Sequence, residues 1–138
     1  MLAALAASPV ASAESAGGVS VTITQLRSGK GQVLACLTRM PRAFPQCERD
    51  PAAFSAKVPA AHSVSVDFGP VPPGRYAISV FHDENGNGRL DTRLMMPREG
   101  YGFSRDAPVR FGPPSFAQAA FAVDGAGGHQ TIRMRYIF

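Results

Sequence analysis

The sequence predicts an all-β fold: an antiparallel β-sandwich of about seven strands with one long irregular loop. Three observations carry that expectation. Short apolar runs alternate with period two, as where Val19, Val21 and Ile23 oppose Ser20, Thr22 and Thr24. The 14 glycines and 12 prolines fall between these runs, where turns belong. The runs follow one another through turn signals, without the intervening helical segments that would make βαβ units.

The strands are assigned in order. Val19 to Leu26 is the first, and Arg27-Ser28-Gly29-Lys30-Gly31 turns the chain into a second, Gln32 to Thr38. A loop with four prolines runs from Arg39 to Ala60. Within it Asp50-Pro51-Ala52-Ala53-Phe54 reads as one helical turn, with Asp as N-cap and Pro at the first position. Ser63 to Phe68 is the third strand, closed by the turn Pro70-Val71-Pro72-Pro73-Gly74. Arg75 to His82 is the clearest strand: Tyr76, Ile78 and Val80 line one face, and Ala77, Ser79 and Phe81 the other. Asp83 to Gly112 is a long irregular stretch, a length that in a compact domain points to a functional or ion-stabilised loop. Ala119 to Val123 and Gln130 to Ile137 supply the last two strands.

Length and composition fit one domain, residues 14–138, with 45% apolar residues to fill its core. Residues 1–13 are apolar and small and end in Ala11-Ser12-Ala13, an A-x-A cleavage pattern. They read as the remnant of a secretion signal lacking a charged start, the other reading being an unstructured Ala-rich segment. No stretch from Glu14 onward is long and apolar enough to span a bilayer as a helix. Export, to the periplasm or the cell surface, suits the two cysteines. Cys36 and Cys47 are expected to pair as a disulfide, with two buried thiols as the other state.

The formal charge is +4, but the 14 basic residues stand singly along the chain, with no basic run and no interleaved aromatics. That pattern excludes nucleic acid as the expected partner. The acids are more concentrated: five of the ten lie between Asp83 and Asp106. There the segment Asp83-Glu84-Asn85-Gly86-Asn87-Gly88-Arg89-Leu90-Asp91 resembles the first part of an EF-hand-type Ca²⁺ loop. Oxygen ligands stand at positions 1, 3, 5 and 9, as Asp83, Asn85, Asn87 and Asp91. Gly88 is at the sharp turn, and Arg89 can offer its backbone carbonyl at position 7. Ca²⁺ takes six to eight hard oxygens in flexible geometry, which alternate residues of a curled loop can supply.

Position 12, normally a bidentate Glu, is Leu94. Closure must come from Glu84, Glu99, Asp106 or water, so the ion is expected to be held weakly. The same segment can also be held by Asx turns of its own. His82 precedes the loop on the face of Tyr76, Ile78 and Val80, and reads as a packed, hydrogen-bonded residue rather than a ligand. Tyr101, Phe103, Phe111 and Phe116 are expected to fold the excursion back on the sheet.

Several stretches carry a resemblance: Pro73-Gly74-Arg75-Tyr76-Ala77, Val80 to Gly88 with Leu90-Asp91, Pro97 to Ser104, and Pro113-Pro114-Ser115-Phe116. Together they resemble the family called domain of unknown function 2141, over roughly Val19 to Tyr136. The resemblance implies exported bacterial proteins with an immunoglobulin-like or prealbumin-like sandwich and no established activity. The Pro-Gly-x-Tyr turn is similar to those of carboxypeptidase regulatory-like and collagen-adhesin B-type sandwiches, and the acidic loop to the calcium loops of adhesin B-repeats. Fold alone does not give function.

The expected function is a non-catalytic, Ca²⁺-stabilised module that meets a protein, peptide or carbohydrate ligand. The alternative is a small-molecule hydrolase on a prealbumin-like fold, such as the hydroxyisourate hydrolases. Those end in a Tyr-Arg-Gly-Ser-type tail, whereas this chain ends in Arg133-Met134-Arg135-Tyr136-Ile137-Phe138. No nucleophile arrangement has a sequence signature here. A membrane barrel, suggested by the terminal alternation, needs at least eight strands of about ten residues each.

Overall fold

The computed structural model describes residues 17–86, 92–93, 96–97, 100–110 and 112–136. The expected signal remnant, Asn87 to Asp91, Leu94, Glu99 and Phe111 lie outside them.

Two sheets form the sandwich. The first has the order β10-β1-β4, with β1 at Gly17–Thr24, β4 at Val64–Val71 and β10 at Gly128–Arg133. The second has the order β3-β2-β5-β8, with β2 at Gln32–Thr38, β3 at Phe54–Pro59, β5 at Gly74–Asp83 and β8 at Gly100–Phe103. A short strand, β9 at Phe121–Val123, pairs with the first part of β5. Two-residue strands β6 (Thr92–Arg93) and β7 (Met96–Pro97) pair with each other.

The period-two pattern places the core between the sheets. Val19, Val21 and Ile23 of β1 meet Val33, Ala35 and Leu37 of β2 and Tyr76, Ile78 and Val80 of β5, all buried. The opposite face of β5 is covered too. Ala77 and Phe81 pack with Phe44, Tyr101, Phe103, Phe116, Ala119 and Ala120 in a second cluster. Covered on both sides, β5 reads as a nearly continuous apolar run.

In β8 the alternation is Gly-Tyr-Gly-Phe. Tyr101 and Phe103 enter the second cluster, while Gly100 and Gly102 face the first sheet. A Cβ at Gly100 would collide with the Tyr136 ring, and one at Gly102 with Ile132. The glycines therefore let the end of the chain pack directly on the strand.

The structure corrects several expectations. All strand pairs are antiparallel except β1 with β10, which run parallel in the register Val19↔Gly128 to Thr24↔Arg133. The Arg39–Ala60 loop contains a strand, β3, paired antiparallel to β2. Asp50-Pro51 is a turn, not a helix: Asp50 accepts the Ala52 N–H at Oδ1 and the Ala53 N–H at its carbonyl, while a 3-10 turn lies earlier, at Cys47–Arg49. A one-turn helix, α1 (Phe116–Ala119), precedes β9, opened by a capping box between Ser115 and Gln118. The last strand ends at Arg133, not Ile137; beyond it Arg135 pairs with Tyr101.

The expected disulfide is present. Cys36 on the outer face of β2 bonds Cys47 with Cα atoms 5.8 Å apart, inside the range a disulfide allows. It holds the 39–53 segment over the second sheet. Phe44 of that segment packs edge-on to Phe103 and Phe116, at 5.8 and 6.2 Å between ring centroids. No helix among the described residues is long and apolar enough to cross a membrane.

Candidate functional site

The acidic loop leaves the sheet at the end of β5, and the β1–β2 turn folds against its root. Register explains why: Gln32 opens β2 opposite Asp83, so residues 27–31 fall beside residues 83–86. The approach is close enough to demand glycine at position 31. Its φ is +69°, and a Cβ there would run into the Asp83 and Glu84 carbonyls.

Asp83, the expected first ligand, is only 1% exposed, and its Oδ2 accepts a hydrogen bond from Gln32 Nε2 at 3.0 Å. Its carbonyl accepts the Gly86 N–H, closing a turn in which Gly86 has φ +71°. Asn85 is exposed on that turn. Of the five residues expected to hold Ca²⁺, Asp83 and Asn85 are thus at the loop root. Asn87, Arg89 and Asp91 lie outside the described residues. Among the described residues no three His, Cys, Asp or Glu side chains group as a metal site.

Between Asp83 and Asn85 the chain points the other way. Glu84 turns its carboxylate to the β1–β2 turn. Arg27 donates from Nη2 at 2.6 Å and from Nε at 3.2 Å to both oxygens, and the Ser28 hydroxyl donates at 2.8 Å. The Arg27 guanidinium holds the Glu84 carboxyl down to about 2, against a smaller opposing effect of burial. Glu84 thus anchors the β1–β2 turn to the loop root. Asp106 Oδ1 accepts the Arg133 N–H, and neighbouring Ser104 bonds Ile78, roughly 17 Å along β5 from Asp83.

His82 has the packed role expected of it. It is fully buried, and its Nε2 donates to the Lys30 carbonyl at 2.8 Å. Its Nδ1 therefore accepts from the Tyr136 hydroxyl, also at 2.8 Å. The same hydroxyl accepts the Arg27 N–H at 3.0 Å, and the Arg27 guanidinium lies 4.5 Å over the Tyr136 ring. Burial raises the Tyr136 phenol above its ordinary value, and Glu84 adds to that. Sequence reading passed over Arg27, Ser28, Gln32 and Tyr136. They are remote in sequence from residue 83: the β2–β5 register brings Arg27, Ser28 and Gln32 there, and the pairing of Arg135 with Tyr101 brings Tyr136.

Elsewhere, Ser20 and Thr22 hydrogen-bond the two ring nitrogens of His129 at 2.8 and 3.2 Å on the open outer face of the first sheet.

Fold and site together define a small disulfide-bonded β-sandwich with an acidic loop anchored by an arginine–glutamate pair. The profile of a family described as an uncharacterized protein conserved in bacteria, domain of unknown function 2141, matches residues 21–132. The chain belongs to that family. No curated protein and no solved structure matches it.

Proposed function

We propose that this chain is an exported, non-catalytic β-sandwich module whose 83–91 loop binds Ca²⁺ weakly and is stabilised by it. The observation that carries the reading is Asp83. A carboxylate 1% exposed, fixed by Gln32 at the end of a central strand, is a preorganised first position for a hard cation. The Asp-x-Asn-x-Asn-Gly-x-x-Asp pattern continues from it. The disulfide favours an oxidising compartment and so export. The polar groups at the loop root favour a structural over a catalytic use. Both nitrogens of His82 and both oxygens of Glu84 serve fixed contacts within the chain.

The test is thermal unfolding of the full chain in 10 mM Ca²⁺, in 10 mM Mg²⁺ and in chelator. With a Kd on the order of 10⁻⁴ to 10⁻³ M, as in extracellular modules, Ca²⁺ adds about 1–3 kcal/mol and several degrees of Tm. Mg²⁺ demands a tighter octahedron and adds much less. Asp83→Ala lowers Tm in every buffer and removes the difference between Ca²⁺ and chelator. Identical wild-type curves in all three would mean that the loop binds itself and not an ion.

A further inference from the structure

The basic residues stand singly in the sequence, yet the fold gathers three of them at one end. β2 stops at Thr38, paired with Ala77 near the start of β5, so Arg39 and Arg75 stand at the same end of the second sheet, Arg39 on its Tyr76 face and Arg75 on its Phe116 face. The Arg39 guanidinium lies 5.8 Å from the Tyr76 ring and donates to the Pro73 carbonyl, and the Arg75 guanidinium lies 6.0 Å over Phe116. Phe116 packs on Phe44, whose N–H donates to the Met40 carbonyl in the turn that also carries Arg42. A continuous series of contacts thus joins Arg39, Met40, Arg42 and Arg75. This end is roughly 26 Å along β5 from Asp83, so it is separate from the root of the acidic loop.

Two properties distinguish this tip. All three arginines are exposed, and among the described residues none of them has an ion pair. Of the nearby acids, Asp50 is buried and accepts from the Thr38 hydroxyl, Glu48 is exposed on the 3-10 turn, and Asp124 follows β9 and accepts the Ala126 N–H. Met40, between two of the arginines, is 39% exposed and is the only exposed large apolar side chain among the described residues. Its turn is fixed by Ala43 and Phe44 hydrogen bonds to its carbonyl and, from behind, by the disulfide.

We propose that this tip docks the domain on an anionic lipid surface, with Arg39, Arg42 and Arg75 on headgroup phosphates and Met40 entering the acyl boundary. Guanidinium forks match phosphate oxygens in pairs, and contact with the buried rings of Tyr76 and Phe116 holds two of them in place. A soluble polyanion would satisfy the charges but would give Met40 nothing. The apolar side chain set among cations is what selects a membrane interface over a polysaccharide.

The experiment is co-sedimentation of the full chain with phosphatidylcholine vesicles and with vesicles containing one-quarter phosphatidylglycerol, in 0.1 M salt. Binding is expected on the phosphatidylglycerol vesicles only. Each arginine removed weakens it about fivefold, so Arg39→Gln with Arg42→Gln costs about 25-fold. Lys57→Gln with Arg133→Gln removes the same charge from the body of the sheets and changes binding less than twofold. Met40→Ser weakens vesicle binding while leaving any binding to soluble dextran sulfate unchanged. The circular dichroism spectrum of each variant verifies its fold. No binding to either vesicle, or equal losses in the two double variants, would overturn the proposal. Met40→Ser binding as well as wild type, with dextran sulfate competing the chain off the vesicles, would make the occupant an acidic polysaccharide instead.

Discussion

At the residue scale, the loop root is a small circuit of hydrogen bonds whose members have unequal weight. The Arg27–Glu84 pair has good geometry, but the Arg27 side chain is 41% exposed and water screens it, so it contributes about 1 kcal/mol at most. Its pH dependence is still readable. Because the folded-state value of Glu84 lies below the ordinary 4.5, the pair stabilises fully above that pH and loses its contribution as pH falls towards about 2. Urea unfolding between pH 6 and pH 2 should show a shallower acid decline for Arg27→Ala than for wild type. The Tyr136 hydroxyl matters more. It serves the Arg27 N–H and His82 Nδ1 at once, and His82 is wholly buried. Tyr136→Phe leaves both groups without that partner and should lower stability by about 1–3 kcal/mol in urea at neutral pH. A loss below 0.5 kcal/mol, roughly the smallest net worth of a hydrogen bond, would show that water replaces the hydroxyl. His82 was legible in sequence as a packed residue because it continues an apolar face. Its partners were not, because the 52 and 54 residues that separate it from Lys30 and Tyr136 are bridged only by the fold.

At the scale of elements, legibility followed how local the determining physics is. β1, β2 and β5 came through because alternation over seven or more residues is a strong signal and all three line the core. β3 was hidden by the prolines around it. It is an edge strand with alternating half-buried and exposed residues, and Pro59, disfavoured inside a sheet, is tolerated at its end. The capping box of α1 was visible as Ser115 followed three residues later by Gln118. A single turn of helix has no periodicity to draw attention to it. The 39–53 segment is long, and it keeps its place through three attachments. These are the disulfide, the Thr38 hydroxyl donating to Asp50 at 2.6 Å, and the Ser79 hydroxyl donating to the Pro45 carbonyl at 2.9 Å. Replacing both cysteines by serine should therefore cost about 2–4 kcal/mol in urea while leaving the β-type circular dichroism spectrum in place. The main core draws on no residue of that segment. A variant that loses its β spectrum at room temperature would show that the two cores fold as one.

At the scale of the whole molecule, the decisive feature is the one local patterning could not reveal. The strand nearest the start of the described chain, β1, pairs in parallel with the strand nearest its end, β10. Alternation says that a segment is a strand and which face is buried, but both directions of pairing satisfy it equally. What β10 brings is substantial. Ile132 and, just beyond the strand, Met134 are buried in the main core, and the Met134 N–H donates to the Thr24 carbonyl. Arg135 exchanges two backbone hydrogen bonds with Tyr101, which joins the first sheet to β8 of the second and closes that side of the sandwich. Tyr136 then reaches the loop root. Ending the chain at Gly127 would strip β1 of one neighbour, remove two large side chains from the core and cut the hydroxyl from His82. Each loss is of a few kcal/mol, and together they match the 5–15 kcal/mol that hold a domain of this size. The expected outcome is a chain without a cooperative urea transition and without dispersed backbone amide resonances. A shortened chain that still unfolds cooperatively would locate the folding unit within β1 to β9 and reduce β10 to a surface strap.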